Sequence, residues 1–133
     1  MNLGRQKILV VDDEESARKL IIASLRKADY QILQAEGGRE AIRIANREHP
    51  DLIIMDICLA ETNLDGYQTA EIITEECPGQ TILFVSGKID YNNRRAAIKE
   101  RWSFLNKPFS PLDLRARVKR ILERPPAKRA RSL

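Results

Sequence analysis

The sequence has little of what marks a secreted, membrane-bound or thiolate-based protein: two cysteines, one histidine and no long apolar run. Cys58 and Cys77 lie far apart and match no metal-binding or redox spacing. No stretch approaches the length of a membrane span, and residues 1–7 are too polar for the core of a signal peptide. Two thiols without a secretion signal predict a protein of the reducing cytoplasm, with no membrane partner.

The chain also lacks an excess of charge over its main part. Its 133 residues suffice for one domain with a single core. The net charge of +4 is fully accounted for by four basic residues in the last ten positions, which contain no acid: Arg124, Lys128, Arg129 and Arg131. We therefore predict a formally neutral folded domain over residues 5–123 and a disordered basic tail over residues 124–133.

Four short apolar runs each end on a polar residue. Residues 52–55 end on Asp56, and an apolar run of this kind is typical of a strand buried on both faces of a parallel sheet. The other three runs, at residues 7–11, 81–85 and 102–106, are followed by Asp12-Asp13, Ser86-Gly87 and Lys107-Pro108. Because parallel strands present their chemistry at their carboxyl ends, we expect these polar groups to gather at one edge of the sheet.

Helical periodicity separates the strands. Helices are predicted at residues 14–28, 39–48, 66–77, 89–101 and 110–123, and a further short strand at 31–36. Leu20, Ile21 and Leu25 are expected on the apolar face of the first helix. The pattern predicts an α/β fold, with a doubly wound five-stranded parallel sheet in the order 2-1-3-4-5, as in flavodoxin-like (βα)5 proteins. In this order Asp12 and Asp13 lie beside Asp56.

Three carboxylates at one edge repel each other. A pair about 5 Å apart costs about 3 kcal/mol at an effective dielectric near 20, so the cluster must hold protons or a cation. Oxygen ligands completed by water and a phosphate are the habit of Mg²⁺. A carboxylate beside such a metal can attack a phosphoryl group and form an acyl phosphate. Lys107 and Ser86 could each bind one phosphoryl oxygen.

Each residue taken alone has an ordinary structural explanation. Asp12-Asp13 could cap a helix, and a single Asp, Ser-Gly or Lys-Pro after a strand is common in turns. Phe104 is typical of a strand core, and His49 is predicted to cap the end of the second helix, with no catalytic role. The joint occurrence of the polar groups at the ends of successive strands favours a functional site.

In this combination and at these separations, Asp12-Asp13, Asp56, Ser86-Gly87 and Lys107-Pro108-Phe109 resemble the receiver domain of two-component response regulators, the CheY-like superfamily. The resemblance covers residues 5–123. It implies that Asp56 is a phosphoacceptor, charged from a phosphohistidine on a sensor histidine kinase or phosphotransfer protein. It also implies a signalling domain rather than an enzyme, with intrinsic autophosphorylation and autodephosphorylation chemistry.

The same resemblance implies a set of metal ligands. Asp13 and Asp56 would bind Mg²⁺ directly, Asp12 would act mainly through water, and the backbone carbonyl of Cys58 would be a further ligand. Lys107 and Ser86 would complete the catalytic group.

The resemblance further implies a switch. Ser86 and Phe104 match the family's paired switch positions, and the Lys107-Pro108 peptide is expected to be cis. The face made by the helix at 89–101, the last strand and the helix at 110–123 would bind a downstream protein or a second copy of the chain.

The chain departs from the family pattern in three places. Leu59-Ala60 stand where many members have Met-Pro, and the Asp65-Gly66 pair arrives two positions late, so the loop beside the site is longer. Glu100-Arg101 replace the frequent Gly-Ala before the last strand. These departures concern loop geometry and partner choice. The segments Phe-Val-Ser-Gly and Phe-Leu-Asn-Lys-Pro-Phe-Ser-Pro are most similar to receivers of hybrid histidine kinases and to free-standing receivers.

Three other functions fit parts of the sequence. A Mg²⁺-dependent phosphatase with an aspartyl-phosphate would need an acid two residues after its nucleophile, where this chain has Cys58. A flavin or nucleotide carrier would need a Gly-rich or Ser/Thr-rich loop after the first strand, whereas residues 12–15 are all acidic. A DNA-binding regulator would need a helix-turn-helix, and the basic tail lacks interleaved aromatics, so no specific nucleic-acid binding is expected from these residues. Whether an output domain follows Leu133 stays open.

Overall fold

A computed structural model describes residues 5–60, 63–87 and 101–124. Within these residues five strands and four helices follow one another. They are β1 (Gln6–Val11), α1 (Glu15–Leu25), β2 (Tyr30–Ala35), α2 (Gly38–Glu48), β3 (Leu52–Asp56), α3 (Gly66–Glu76), β4 (Ile82–Ser86), β5 (Trp102–Asn106) and α4 (Pro111–Glu123). The helix predicted at 89–101 and the tail predicted beyond 124 lie outside the described residues. Of the four helices that the structure describes, none has the length and apolarity that a bilayer span requires.

The five strands form one parallel sheet in the order β2-β1-β3-β4-β5, which confirms the predicted fold class. Every residue of β3 and β4 is buried. This is the condition of central strands in a parallel sheet, because helices cover both faces. The register pairs Val11 of β1 with Met55 of β3, so the residues that follow them, Asp12 and Asp56, leave the sheet side by side.

Alternating side chains divide the core into two layers, one on each face of the sheet. Leu9 and Ile53 pack on the side of α2 and α3, where Ala41, Ala70 and Ile73 join them. The strand residues that alternate with Leu9 and Ile53 pack on the opposite face of the sheet, against α1 and α4. That second layer contains Ile8, Val10, Ile54, Ile21, Leu25, Leu114 and Val118. The apolar spacing read from the sequence therefore does place these helices against the sheet.

Several helix ends form as their local residues predict. The Ser110 hydroxyl accepts a hydrogen bond from the Asp113 N–H at 3.0 Å, and Pro111 occupies the first turn of α4. His49 is the C-cap of α2, in a left-handed conformation with φ of 50°. Asp65 caps α3 through a reciprocal pair of hydrogen bonds with Gln68, each of 2.8 Å.

The first helix differs from its prediction. α1 ends at Leu25 rather than at residue 28, and Leu20 is 52% exposed, so its assignment to the apolar face was wrong. The buried stripe instead runs through Arg18, Ile21 and Leu25. Leu20 precedes Ile21 by one residue, which turns it about 100° away from that stripe.

The start of α3 lies against the end of β3. The Gly66 N–H donates to the Ile57 carbonyl at 2.8 Å. A Cβ atom at Gly66 would lie 2.2 Å from the Asp56 carbonyl oxygen and 2.7 Å from the Ile57 Cα. Only a residue without a side chain allows this approach.

We expect Gly66→Ala to lower the free energy of unfolding by about 1–3 kcal/mol, because the backbone of β3 or α3 must shift to make room. Urea denaturation measures the loss. Gly87→Ala is the matched control, since a Cβ at Gly87 meets no atom of the described residues within 4 Å. An equal loss in both variants would contradict the close approach.

Candidate functional site

The carboxyl ends of β1 and β3 bring three carboxylates together. Asp12, Asp13 and Asp56, here called the acidic cluster, have carboxylate oxygens within 4.8 Å of one another. Asp12 and Asp56 are buried and Asp13 is exposed. The structure thus assembles the three acids that the strand ends predicted.

The two carboxylate oxygens of Asp12 have different partners. Its Oδ1 accepts a hydrogen bond from the Glu14 N–H at 3.0 Å, at the start of α1, and its Oδ2 lies 3.4 Å from the Lys107 Nζ. The helix cap suggested for Asp12-Asp13 is not formed, because the N-cap of α1 is Glu14 and no side chain among the described residues caps it; Asp12 instead closes a local turn before the helix with one oxygen and contacts Lys107 with the other.

Lys107 reaches the acidic cluster from the end of β5. Its side chain is 30% exposed, and its ammonium contacts Asp12, with only a longer-range attraction to Asp56. The Lys107 N–H donates to the Ser86 carbonyl at 2.9 Å, which ties the ends of β4 and β5. The Lys107-Pro108 peptide is cis, as the resemblance implied.

Asp56 is 7% exposed at the end of β3, and its Oδ1 accepts a hydrogen bond from the Cys58 N–H at 3.3 Å. Burial raises the pKa of Asp56 above its ordinary value, and the neighbouring Asp12 carboxylate raises it further. The Lys107 charge and the Cys58 N–H oppose this shift of the pKa without cancelling it. A cation at the cluster would relieve the same repulsion.

Ser86 and Cys58 lie next to the acidic cluster. Ser86 ends β4, is 2% exposed, and has its Oγ 3.9 Å from the Sγ of Cys58. The Cys58 residue itself is exposed. A hydroxyl at this position can donate to an oxygen of a group bound at the sheet edge.

Phe104 lies one strand away from these groups. Its ring is half-buried and stacks on Phe84, with centroids 5.2 Å apart, and lies 6.5 Å from the Tyr67 ring. Arg117 of α4 donates to the Phe104 carbonyl at 2.7 Å. Phe104 therefore joins the β5 strand to two aromatic neighbours of the core and to α4.

The ligands at the cluster are suited to a hard divalent cation. Three carboxylates converge, and one of the acids is exposed, which leaves access for water and for a phosphate. Oxygen ligands of this kind fit Mg²⁺ better than a soft transition metal. Receiver domains generally bind Mg²⁺ at such an acidic pocket.

Two contacts near the site were not predicted from the sequence. Arg18 is buried and donates to the Asp12 carbonyl at 2.7 Å, and Gly66 packs against the Asp56 backbone. The spacing of Arg18, Ile21 and Leu25 could have revealed the first, because positions i, i+3 and i+7 share one helix face.

Comparison with known proteins gives consistent matches. Residues 8–119 match the response regulator receiver domain family. The chain is 36% identical over 120 residues to the alkaline phosphatase synthesis transcriptional regulatory protein PhoP of Bacillus subtilis, covering 90% of this chain and 49% of that protein. It spans about half the length of the first curated relatives that it matches.

Solved structures agree with the sequence matches. The receiver domain of NtrX from Brucella abortus superposes with a TM-score of 0.80 at 28% identity, covering 89% of this chain and 99% of that one. The chemotaxis protein CheY4 of Vibrio cholerae gives 0.79 at 25% identity, with the same two coverages.

The raised pKa of Asp56 makes its ionisation a cost to the folded state. We expect Asp56→Asn, in chelator, to raise the free energy of unfolding at pH 7 by about 1 kcal/mol, because it removes one buried, repelled charge. The gain should shrink as the pH is lowered toward 4, because the raised pKa lets the Asp56 carboxyl take up its proton in the folded chain before it would in the unfolded chain. Urea denaturation at both pH values measures it.

Asp29→Asn is the control, since that carboxylate is 86% exposed and pairs with Arg5 at the surface. Its effect should stay below about 0.5 kcal/mol at either pH. Destabilisation by Asp56→Asn at pH 7, or an equal gain at both pH values, would contradict the repulsion.

Proposed function

Because the chain belongs to the response regulator receiver domain family, we propose that Asp56 is the residue that accepts a phosphoryl group. Receiver domains are signalling domains, and response regulators generally interact with histidine kinases or phosphotransfer proteins. The observation that carries the proposal is the position of Asp56. Its carboxylate is buried at the end of the central strand, within 4.8 Å of two other carboxylates and in the field of Lys107.

The acidic cluster would hold the metal for this reaction. Asp13 and Asp56 would bind Mg²⁺ directly, Asp12 through water, and the Cys58 carbonyl would supply a further ligand. When bound, the ion neutralises negative charge on the transferring phosphoryl group. The exposed Asp13 lies on the open side, where a phosphodonor can approach.

The transfer itself needs one new bond. A carboxylate oxygen of Asp56 attacks the phosphorus, the bond from phosphorus to the donor imidazole nitrogen breaks, and that nitrogen keeps the electron pair. Lys107, which now contacts Asp12, would turn to one phosphoryl oxygen as a point charge. The Ser86 hydroxyl would donate a hydrogen bond to a second phosphoryl oxygen. Attack of water on the acyl phosphate later restores the Asp56 carboxylate and releases phosphate.

We further propose that residues 5–123 act as the receiver unit and that the reaction takes place in the cytoplasm. Two cysteines without a disulfide, Cys58 and Cys77, support a reducing compartment. The finer resemblance to hybrid-kinase receivers stays a prediction, and so does the absence of specific nucleic-acid binding by these residues.

We expect one phosphoryl group to be added when the chain is incubated with acetyl phosphate and Mg²⁺, as measured by intact mass. Asp56→Asn and excess chelator should each abolish the adduct. Asp51→Asn is the matched control, because Asp51 directly precedes the same strand at its opposite end and binds the Lys7 N–H at 2.8 Å. Full labelling of Asp56→Asn would refute the assignment.

Binding of Mg²⁺ can be measured separately from phosphorylation, through the stability of the fold. Mg²⁺ that binds only the folded chain stabilises it by mass action, so millimolar Mg²⁺ should raise the melting temperature. Asp13→Ala should lose most of that rise, and an equal rise in this variant would show that the metal binds elsewhere.

We also propose that Ser86 and Phe104 transmit the phosphorylation. Ser86 is buried at the end of β4, and its carbonyl accepts a hydrogen bond from the Lys107 N–H. A shift of Ser86 toward a phosphoryl group would therefore move the ends of both β4 and β5. Phe104, half-buried beside Phe84 on the next strand, would turn further inward to fill the space. The surface of β5 and α4, with the helix predicted at 89–101, would then change shape for a downstream protein or a second copy.

Amide chemical shifts with and without beryllofluoride test this switch. We expect changes to spread from Asp56 through β4 to Phe104, because the two states differ in the packing of β5. Ser86→Ala should confine the changes to the acidic cluster. Ser103→Ala, in β5 itself, is the control and should leave the spread intact. Changes that stay local in the native chain would favour a phosphate relay over a switch.

A further inference from the structure

Arg18 is a buried charge outside the set of groups considered so far. It is the fourth residue of α1 and is only 7% exposed, although the outer face of α1 is open to solvent. A guanidinium does not lose its proton in proteins, so burial must be offset by hydrogen bonds to its donors. The partners of Arg18 therefore show what the side chain is for.

Among the described residues, three groups contact the guanidinium of Arg18. Nη1 donates to the Asp12 carbonyl at 2.7 Å, in a fully buried hydrogen bond, and Nε donates to the Gln34 side-chain oxygen at 3.1 Å. Nη2 lies 3.9 Å from a carboxylate oxygen of Glu36, but that side chain is 76% exposed, so the ion pair contributes little. The short bond to Asp12 is the dominant interaction.

The backbone at Asp12 is held from several directions. Val11 is the last residue of β1 that pairs with β3, and the Asp12 N–H still donates to the Ala35 carbonyl of β2 at 3.2 Å. Beyond that point the Asp12 carbonyl is bonded to Arg18, while its carboxylate is bonded to the Glu14 N–H. Arg18 thus fixes the peptide unit between Asp12 and Asp13, two of the three acids of the cluster.

From these contacts we infer that Arg18 is a positioning residue for cation binding: its guanidinium holds the peptide that joins Asp12 and Asp13 so that both carboxylates face the metal. The inference rests on the proposed metal site. Arg18 touches neither metal nor phosphoryl group, and its fork-shaped guanidinium joins the cluster to Gln34 on the edge strand β2. An ammonium, with its donors on one atom, would not span both acceptors in the same way.

Isothermal titration of Mg²⁺ into the chain tests the inference without any phosphodonor. Arg18→Met keeps the apolar stem and removes the donors, and we expect the Mg²⁺ dissociation constant to rise about tenfold, as for other outer-shell partners. Lys19→Met removes the same charge from the next residue, which is 73% exposed, and should stay within about twofold of the native value.

Arg18→Lys separates position from charge. We expect it to remain about threefold weaker than the native chain, and the deficit should persist in high salt, where a purely electrostatic effect is screened. Native affinity in Arg18→Lys, or in folded Arg18→Met, would overturn the inference. If Arg18→Met is unfolded in the absence of metal and cannot be titrated, the Mg²⁺ dissociation constant of Arg18→Lys decides whether the inference holds. If the native chain binds no Mg²⁺, the proposed metal site itself fails.

Discussion

The convergence of three carboxylates at one edge of a parallel sheet is the constraint on which the rest of the site depends. The sheet order makes it unavoidable, because Asp12 and Asp56 leave neighbouring strands at the same level. The contact of Lys107 with Asp12 offsets part of the repulsion, and it joins β5 to β1 across the two strands that lie between them. Burial and the repulsion that remains raise the pKa of Asp56, and a divalent cation at the cluster would relieve that repulsion.

Much of the fold follows from local patterns in the sequence. Unbroken apolar runs such as residues 52–55 predict strands buried on both faces, and their alternation with amphipathic segments leaves few possible topologies. The acidic cluster follows from the topology, since parallel strands end at one edge. The end of α2 at His49 and the start of α4 at Ser110 follow from residue preferences alone.

What the sequence could not supply are the particular partners that buried side chains bind. Leu20 is apolar but exposed, whereas Arg18 is charged but buried, because the orientation of α1 is set by the sheet and by the Asp12 carbonyl. The spacing of Arg18 with Ile21 and Leu25 places it on the buried face of α1, but no pattern rule identifies the Asp12 carbonyl as the partner of its guanidinium. The contact of Lys107 with Asp12 is likewise a product of how far the side chain reaches.

The hydrogen bond from the Gly66 N–H to the Ile57 carbonyl closes the loop after β3 at its base, so the two ends of the loop are held together. Its two additional residues, relative to many receiver domains, therefore add only a few tenths of a kcal/mol in closure entropy. Asp56 pairs with Val85 within the sheet, so its backbone is held from outside the loop. A loop closed in this way can vary in length at little cost in free energy, so its length alone need not move the carboxylate at the strand end.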